Sequence, residues 1–471
     1  MRVPPMRRPF LPALLLAAAF TALPAGAATR LEQAAVVRDA ALAKSEAWPM
    51  LADLTTNVGQ RLAGTEAEAR GRDWAVKAMK AAGLTNIKVE PFPLPVWTRG
   101  AESAEIVGAA GAETGGTGQK LAIAALGYSG ATPPEGITAP VVYFPDYAAL
   151  EAAAPGSLAG KIAFIDHRMM RAQDGSSYGT NGAVRRSGPA LAQSKGAVAT
   201  LIRSLGTDYH RNPHTGGTVA APGTVPIPSA ALSLPDAELL ARRLQAGPVS
   251  VKLVSTPMTR PGGSANVSGE IPGRVPGEIV VIGGHLDSWD IGQGVIDDGA
   301  GMAITLAAAK AIKDFGKDAG VQPRRTIRVV FWGAEELGLI GGRAYAEAHK
   351  GENIVLAGES DFGADRVWRV SSKVAEAGLP LVAEIGRVLA PLGVAPTRDN
   401  GAGGGPDVGA LGALGAGIID LEQDGTRYFD LHHTPDDTLD KVDRAQLDQN
   451  VAAWAAATWL AASDDRPLRT K

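Results

Sequence analysis

The chain has 471 residues, of which 45% are hydrophobic and 20% charged, with a net charge near -3. That is enough apolar material for two or three globular domains, and the slightly acidic balance with no basic stripe excludes a nucleic-acid-binding protein. There is no cysteine, so stability has to come from core packing and bound metal rather than from disulfides, and an N-terminal lipid anchor on cysteine is excluded.

The first residues, "MRVPPMRRPFLPALLLAAAFTALPAGAATR", set Arg2, Arg7 and Arg8 before an apolar run and Ala25-Gly26-Ala27 after it. This is the layout of a secretory signal peptide over residues 1–27, with cleavage after Ala27 and export to the periplasm or outside the cell. The apolar run is shorter than the ~20 residues of a membrane span, so no stable membrane anchor is expected. Helical spacing follows from Leu31 as far as Leu54. A second helix opens at Thr65, an N-cap with acids in the first turn of "EAEARGRDWAVKAMKAAGL". The prolines of "TNIKVEPFPLPVW" then mark an edge strand.

From about Gly100 to Pro261 the character changes. A glycine-rich run, "GAAGAETGGTGQK", is followed by the short strand-like runs "APVVYF", "GKIAFID", "AVATLIRS" and "IPSAALS". This reads as a separate β-rich domain, 106–261, inserted between a first catalytic part, 28–105, and a main part, 262–471. In the main part strands and helices alternate: "EIVVIG", "GMAITLAAAKAI", "RTIRVVFWG", "GGRAYAEAHK", "NIVLAGESDF", "VWRVSS", "LPLVAEIGRVLAPLG", "GAGIIDLEQ" and a closing amphipathic helix, "RAQLDQNVAAWAAATWLAAS". The fold class is therefore α/β, with a mostly parallel central sheet covered by helices on both faces. In such sheets the ligand crevice lies beyond the carboxyl ends of the strands.

Charge collects at those ends. "GGHLDSWDIGQGVIDDGAG" carries His285, Asp287, Asp297 and Asp298; "FWGAEEL" carries Glu335 and Glu336; "GESDF" carries Asp361; "YFDLHHTPDDT" carries His432 and His433. Singly, each is ordinary turn or helix-start chemistry. Together, on one edge of one sheet, the carboxylates repel one another unless a cation lies among them. Two histidines with several carboxylates suit a borderline divalent ion such as zinc better than calcium or magnesium. More than four candidate ligands point to two ions sharing a bridging carboxylate, the arrangement of two-metal hydrolases.

The four motifs "GGHLDSWD…DDGAG", "AEELGL", "ESDFG" and "HHTPDDT", in this order, resemble the M28 family of dinuclear zinc exopeptidases over nearly the whole mature chain. The runs "LAGKIAFID" and "GAVATLIRS" resemble a protease-associated domain, and "LIRSLGTDYHRNPHTGG…VPIPSAALS" is similar to the carboxypeptidase Q branch. The resemblance implies two Zn2+ per chain in a zinc aminopeptidase-like (phosphorylase/hydrolase-like) fold. His285 and Asp361 would bind the first ion, Glu336 and His433 the second, and Asp297 would bridge them. Glu335 would be the general base, and Asp287 the carboxylate that accepts the other N–H of His285. His433 is preferred to His432 because it directly precedes "TPDDT".

Tyr428 and His432 are candidate donors to the oxyanion, and Arg398 and Arg427 candidate cations for a substrate carboxylate. Asn400–Asp407, "NGAGGGPD", reads as a mobile loop over the cleft. His167, His210, His214 and His349 are taken as structural or surface residues, with "NPHTGG" around His214 a segment that can reach a neighbouring subunit's site. The implied substrate is a dipeptide or short peptide, and the branch implies a homodimer. A single-zinc glutaminyl cyclase and a non-catalytic binding protein on the same scaffold are the competing functions. Which substrate terminus is read stays open between aminopeptidase, carboxypeptidase and dipeptidase.

Overall fold

The computed structural model describes residues 28–107 and 118–471. The signal-peptide reading, and most of the glycine-rich run after Val107, lie outside that range. Among the described residues no helix is long and apolar enough to cross a membrane.

Eight strands form the main sheet: β1 (Thr85–Thr98), β2 (Met258–Ile271), β3 (Glu278–His285), β4 (Thr326–Trp332), β5 (Asn353–Glu359), β6 (Val367–Lys373), β7 (Ala395–Pro396) and β8 (Gly417–Gln423). Their spatial order is β1-β2-β4-β3-β5-β8-β6-β7. The four central strands, β4-β3-β5-β8, run parallel, while β1, β2 and β6 join antiparallel at the flanks. The proline-bearing β1 is at the sheet edge, where a missing N–H costs no ladder bond.

The central strands are apolar on both faces because both faces are covered. Val280, Ile282, Ile327, Val329 and Phe331 face the layer that holds helix Ala300–Ala319 and the closing helix Arg444–Ser463. Ile279, Val281, Val330 and Trp332 face Tyr345 and Ala346 of helix Ile340–Ala348 on the other side.

Two expectations need correction. The N-terminal helical stretch is two helices, Arg30–Ala43 and Ala47–Asn57. Pro49 stands in the first turn of the second, a place it tolerates and a helix interior does not. The closing helix is not amphipathic: Leu447 and Gln449–Ala462 are all buried. The sheet lies on one side of it and the N-terminal helix Arg30–Ala43 packs on another, so alanine-rich surfaces suit it all round. The helix at Glu66–Ala81 starts as expected, with the Thr65 side chain accepting from Glu68 N.

A second eight-stranded sheet is built from strands between Glu102 and Ser255. Met258 already pairs with Thr98 in the main sheet, so the chain leaves and re-enters it at adjacent points. One face of this second sheet packs on helix Leu234–Ala246. Residues of its other face, including Phe144, Ile165 and Ile202, join the main core.

Candidate metal centre

The four parallel central strands are neighbours, so their carboxyl ends form one continuous edge. His285 is the last residue of β3; Glu335 and Glu336 follow β4, Asp361 follows β5, and His432 and His433 follow β8 after the short helix Tyr428–Leu431. The structure brings all of them together. Asp297 is central. Its Oδ1 is 3.0 Å from His285 Nε2, which is itself 3.4 Å from Asp361 Oδ1. Its Oδ2 is 3.1 Å from His433 Nε2, which is 2.9 Å from Glu336 Oε2. One aspartate thus turns one oxygen to each of two histidine–carboxylate sets.

Mutual spacing alone also groups His432 with Asp297 and His433, and Asp298 with His285 and Asp361. The hydrogen bonds separate them. Asp298 is committed to the backbone, Oδ2 accepting from His285 N and Oδ1 from Gly301 N. Gly284 and Gly301 leave room for it: a Cβ on either would come within 2.5 Å of an Asp298 carboxylate oxygen. His432 Nε2 is 3.6 Å from Asp297 Oδ2, further than His433, and its ring is stacked on His433.

Three sequence-level expectations are not matched. The His285 Nδ1–H donates to the Asp287 backbone carbonyl at 2.9 Å, while the Asp287 carboxylate is 3.7 Å away and accepts from Glu335 N instead. Arg427 is paired with Asp365, and neither it nor the exposed Arg398 lines the cleft. Asn400–Asp407 is pinned rather than free: the Asn400 side chain bridges Val374 N and O, and Asp407 is buried with its N–H bonded to Glu359.

Several residues that hold the site were not singled out from the sequence. Asp437 accepts from the N–H groups of Val295, Ile296 and Asp297, so the motif after β8 clamps the one after β3. Fully buried Arg61 donates to the carbonyls of Leu286, Gly59, Gln293 and Gly294, drawing the same loop inward. Trp289 Nε1 donates to Glu336 Oε2 at 2.6 Å. Ala334 and His433 take left-handed φ of 57° and 61°. Each costs a non-glycine residue about 1 kcal/mol, strain of a kind that collects at functional sites.

Burial disfavours charge on His433 and His432 and lowers both pKa values, which leaves neutral imidazoles. Burial also works against ionising Asp297, but the close approach of His285 and His433 to its two oxygens holds its pKa well below the usual carboxylate range. Glu335 is pushed well above it, first by burial and then, against attraction from His285, by the charges of Glu336, Asp361 and Asp407.

Among the described residues, Asp297 Oδ2, Glu336 Oε1 and Asp361 Oδ1 are buried without a hydrogen-bond donor. Acceptor oxygens left bare beside imidazole nitrogens fit divalent cations. These groups open onto a cleft of about 460 Å³. The main domain contributes Glu335, Glu336, Asp361, Phe362, Pro406 and Tyr428 to its wall, and the inserted unit contributes Tyr128, Tyr178, Arg185, Arg186 and Gly217–Val219.

A parallel α/β sheet with a histidine–carboxylate centre at the carboxyl ends of its strands is the architecture of a metal-dependent hydrolase. Residues 266–458 match the model of peptidase family M28. Carboxypeptidase Q of Bos taurus is 33% identical over 434 residues, covering 90% of this chain and 87% of that protein. A peptidase M28 precursor from Shewanella amazonensis SB2B superposes with a TM-score of 0.89 at 42% identity, over 93% of this chain and 98% of the other. A zinc aminopeptidase from Bacillus subtilis shares the fold, with a TM-score of 0.63 at 21% identity over 89% and 96% of the two chains. The chain belongs to peptidase family M28 and is a metallo-exopeptidase.

Proposed function

We propose that the chain is an exported exopeptidase that holds two zinc ions and hydrolyses dipeptides or short peptides, with Glu335 as general base. The observation that carries this reading is the placement of Asp297, whose two oxygens face two separate histidines 3.0 and 3.1 Å away. His285, Asp361 and Asp297 would hold one ion, and His433, Glu336 and Asp297 the other. When bound, zinc acts as a Lewis acid on the peptide carbonyl and lowers the pKa of water to about 7.

The residues around it do the rest. Asp287 fixes the backbone of Glu335 through the bond to Glu335 N. The Glu335 carboxylate, which has no hydrogen bond to a described residue and lines the cleft, would take a proton from the attacking water and return it to the departing amine. Tyr428 and His432 line the same cleft and are the donors we assign to the oxygen that gains charge.

The size of the cleft favours short substrates. At about 460 Å³ it is in the range of small-ligand sites, and the inserted unit, read here as a protease-associated domain, forms one wall. Arg186 on that wall is exposed and forms no ion pair with a described residue. It is the cation we assign to the substrate carboxylate, in place of Arg398 and Arg427.

The test compares an unblocked dipeptide with its N-acetylated and C-amidated forms, with and without a chelator. The expected result is chelator-sensitive cleavage of the free dipeptide and resistance of both blocked forms. Equal cleavage of the amidated form would remove the carboxylate reading, and the absence of any cleavage by zinc-loaded protein would remove the substrate class.

A further inference from the structure

The inserted unit does more than wall the cleft. Its segment His214-Thr215, from the "NPHTGG" run, lies against His432-His433 in the same chain rather than reaching outward. His214 Nδ1 faces the His432 carbonyl at 2.8 Å, so that nitrogen carries the proton and donates. Thr215 N donates to the His433 carbonyl at 3.0 Å. In return His433 Nδ1 stands 3.1 Å from the Thr215 carbonyl and 3.2 Å from Arg185 Nη1, both of the insert, while His433 Nε2 faces Asp297 and Glu336. Both carbonyls flanking the left-handed His433 are therefore captured by the insert.

His214 is itself held on every side. Its Nε2 is 2.7 Å from Asp208 Oδ1, and Asp208 Oδ2 accepts from His210 N. Its backbone N–H donates to Ser204 Oγ. Gly206 lies flat on the ring: a Cβ there would stand 2.2 Å from His214 Nε2. His214 and Asp208 are both buried, and neither lines the cleft.

We infer that His214, braced by Asp208, is a positioning residue for the metal ligand His433: it fixes the His432-His433 turn that aims His433 Nε2 at Asp297 and Glu336. The inference rests on the two-zinc reading. A residue that orients a metal ligand from behind typically changes metal affinity 10- to 100-fold when removed. Because His285 and Asp361 belong to other strands, the loss falls on one ion and spares the other.

The experiment is a zinc titration of metal-free protein in competition with a chromogenic chelator, which reads the two affinities separately. Wild type is expected to bind two ions. His214→Leu is expected to weaken one site by about 10- to 100-fold and to leave the other within roughly threefold. His214→Asn, which keeps a donor toward the His432 carbonyl, should recover most of the loss. Cooperative thermal unfolding checks that each variant is folded. Should His214→Leu not fold, Gly206→Ala, which displaces the ring without removing it, is read by the same criterion.

A folded variant with both sites at wild-type affinity overturns the inference. So does equal weakening of both sites, which a merely structural role would give. Wild type that binds fewer than two ions overturns the two-zinc reading and this inference with it.

Discussion

Arg61→Lys tests whether a buried guanidinium holds the loop between His285 and Asp297. Arg61 is 0% exposed and spends its side-chain donors on carbonyls: Nε on Leu286 at 2.8 Å, Nη1 on Gly59 at 2.8 Å and Gln293 at 3.2 Å, and Nη2 on Gly294 at 2.8 Å. These acceptors lie around the planar fork, and a single ammonium replacing it has one centre from which to donate. Lysine keeps the charge but reaches about two of the four carbonyls. The Gly294 carbonyl keeps the Gly299 N–H and Gln293 is exposed, so about one buried acceptor is left unpaired and the variant should lose about 1–3 kcal/mol.

The assay is urea unfolding in the presence of a chelator, so that metal binding does not enter, read as the free energy extrapolated to zero urea. The loop carries His285 at one end and Asp297 at the other, and zinc affinity should fall with stability. A change below ~0.5 kcal/mol, the size expected of an ordinary surface substitution, would refute the clamp.

Glu335→Gln should keep both zinc ions, since it replaces no proposed ligand, and lose about 100- to 10,000-fold in kcat, or about 2.7–5.5 kcal/mol of barrier; turnover near wild type would remove Glu335 from the mechanism. Zinc added to metal-free protein at 100 times its Kd should stabilise the fold by about 2.7 kcal/mol per site, read as a rise in Tm, and no rise would argue against a built metal site. At the end of the closing helix, burial opposes ionising Asp464, yet Arg466 and Arg30 hold its pKa well below the usual carboxylate range. A depressed carboxylate contributes stability above its unfolded pKa of about 3.9 and loses it as pH falls through the folded value. Asp464→Asn should therefore lower Tm at pH 7 and flatten the acid limb of the stability profile; an unchanged acid limb would show that the pair carries none of it.

What the sequence makes legible follows the range of the interactions. The strand ends at His285, Glu335, Glu336 and Asp361 can be read because a parallel sheet brings every carboxyl end to one edge, and a short apolar run marks each strand. Local patterns misled where tertiary cover decides. The closing helix has polar residues at its start, and only packing against both the sheet and Arg30–Ala43 buries it all round. Asp437 is within reach, as an unassigned acid three residues past Thr434 in "HHTPDDT", although nothing in its spacing says that it clamps the amides of Val295, Ile296 and Asp297.

The insert's share of the site is a different case. His214 and His432 are 218 residues apart, and Arg185 and His433 are 248 apart. No periodicity or motif encodes a contact of that range within one chain. The sequence shows "NPHTGG" as a polar, glycine-ended turn, and an outward role for it is as consistent with the letters as an inward one. Only the docking of the second sheet, through residues such as Phe144 and Ile202, onto the main core turns the segment toward His433. A metal site whose proposed ligands all follow strands of the main sheet would therefore depend on the segment around His214 for its geometry. That is why zinc affinity, measured one site at a time, tests this packing more directly than activity does.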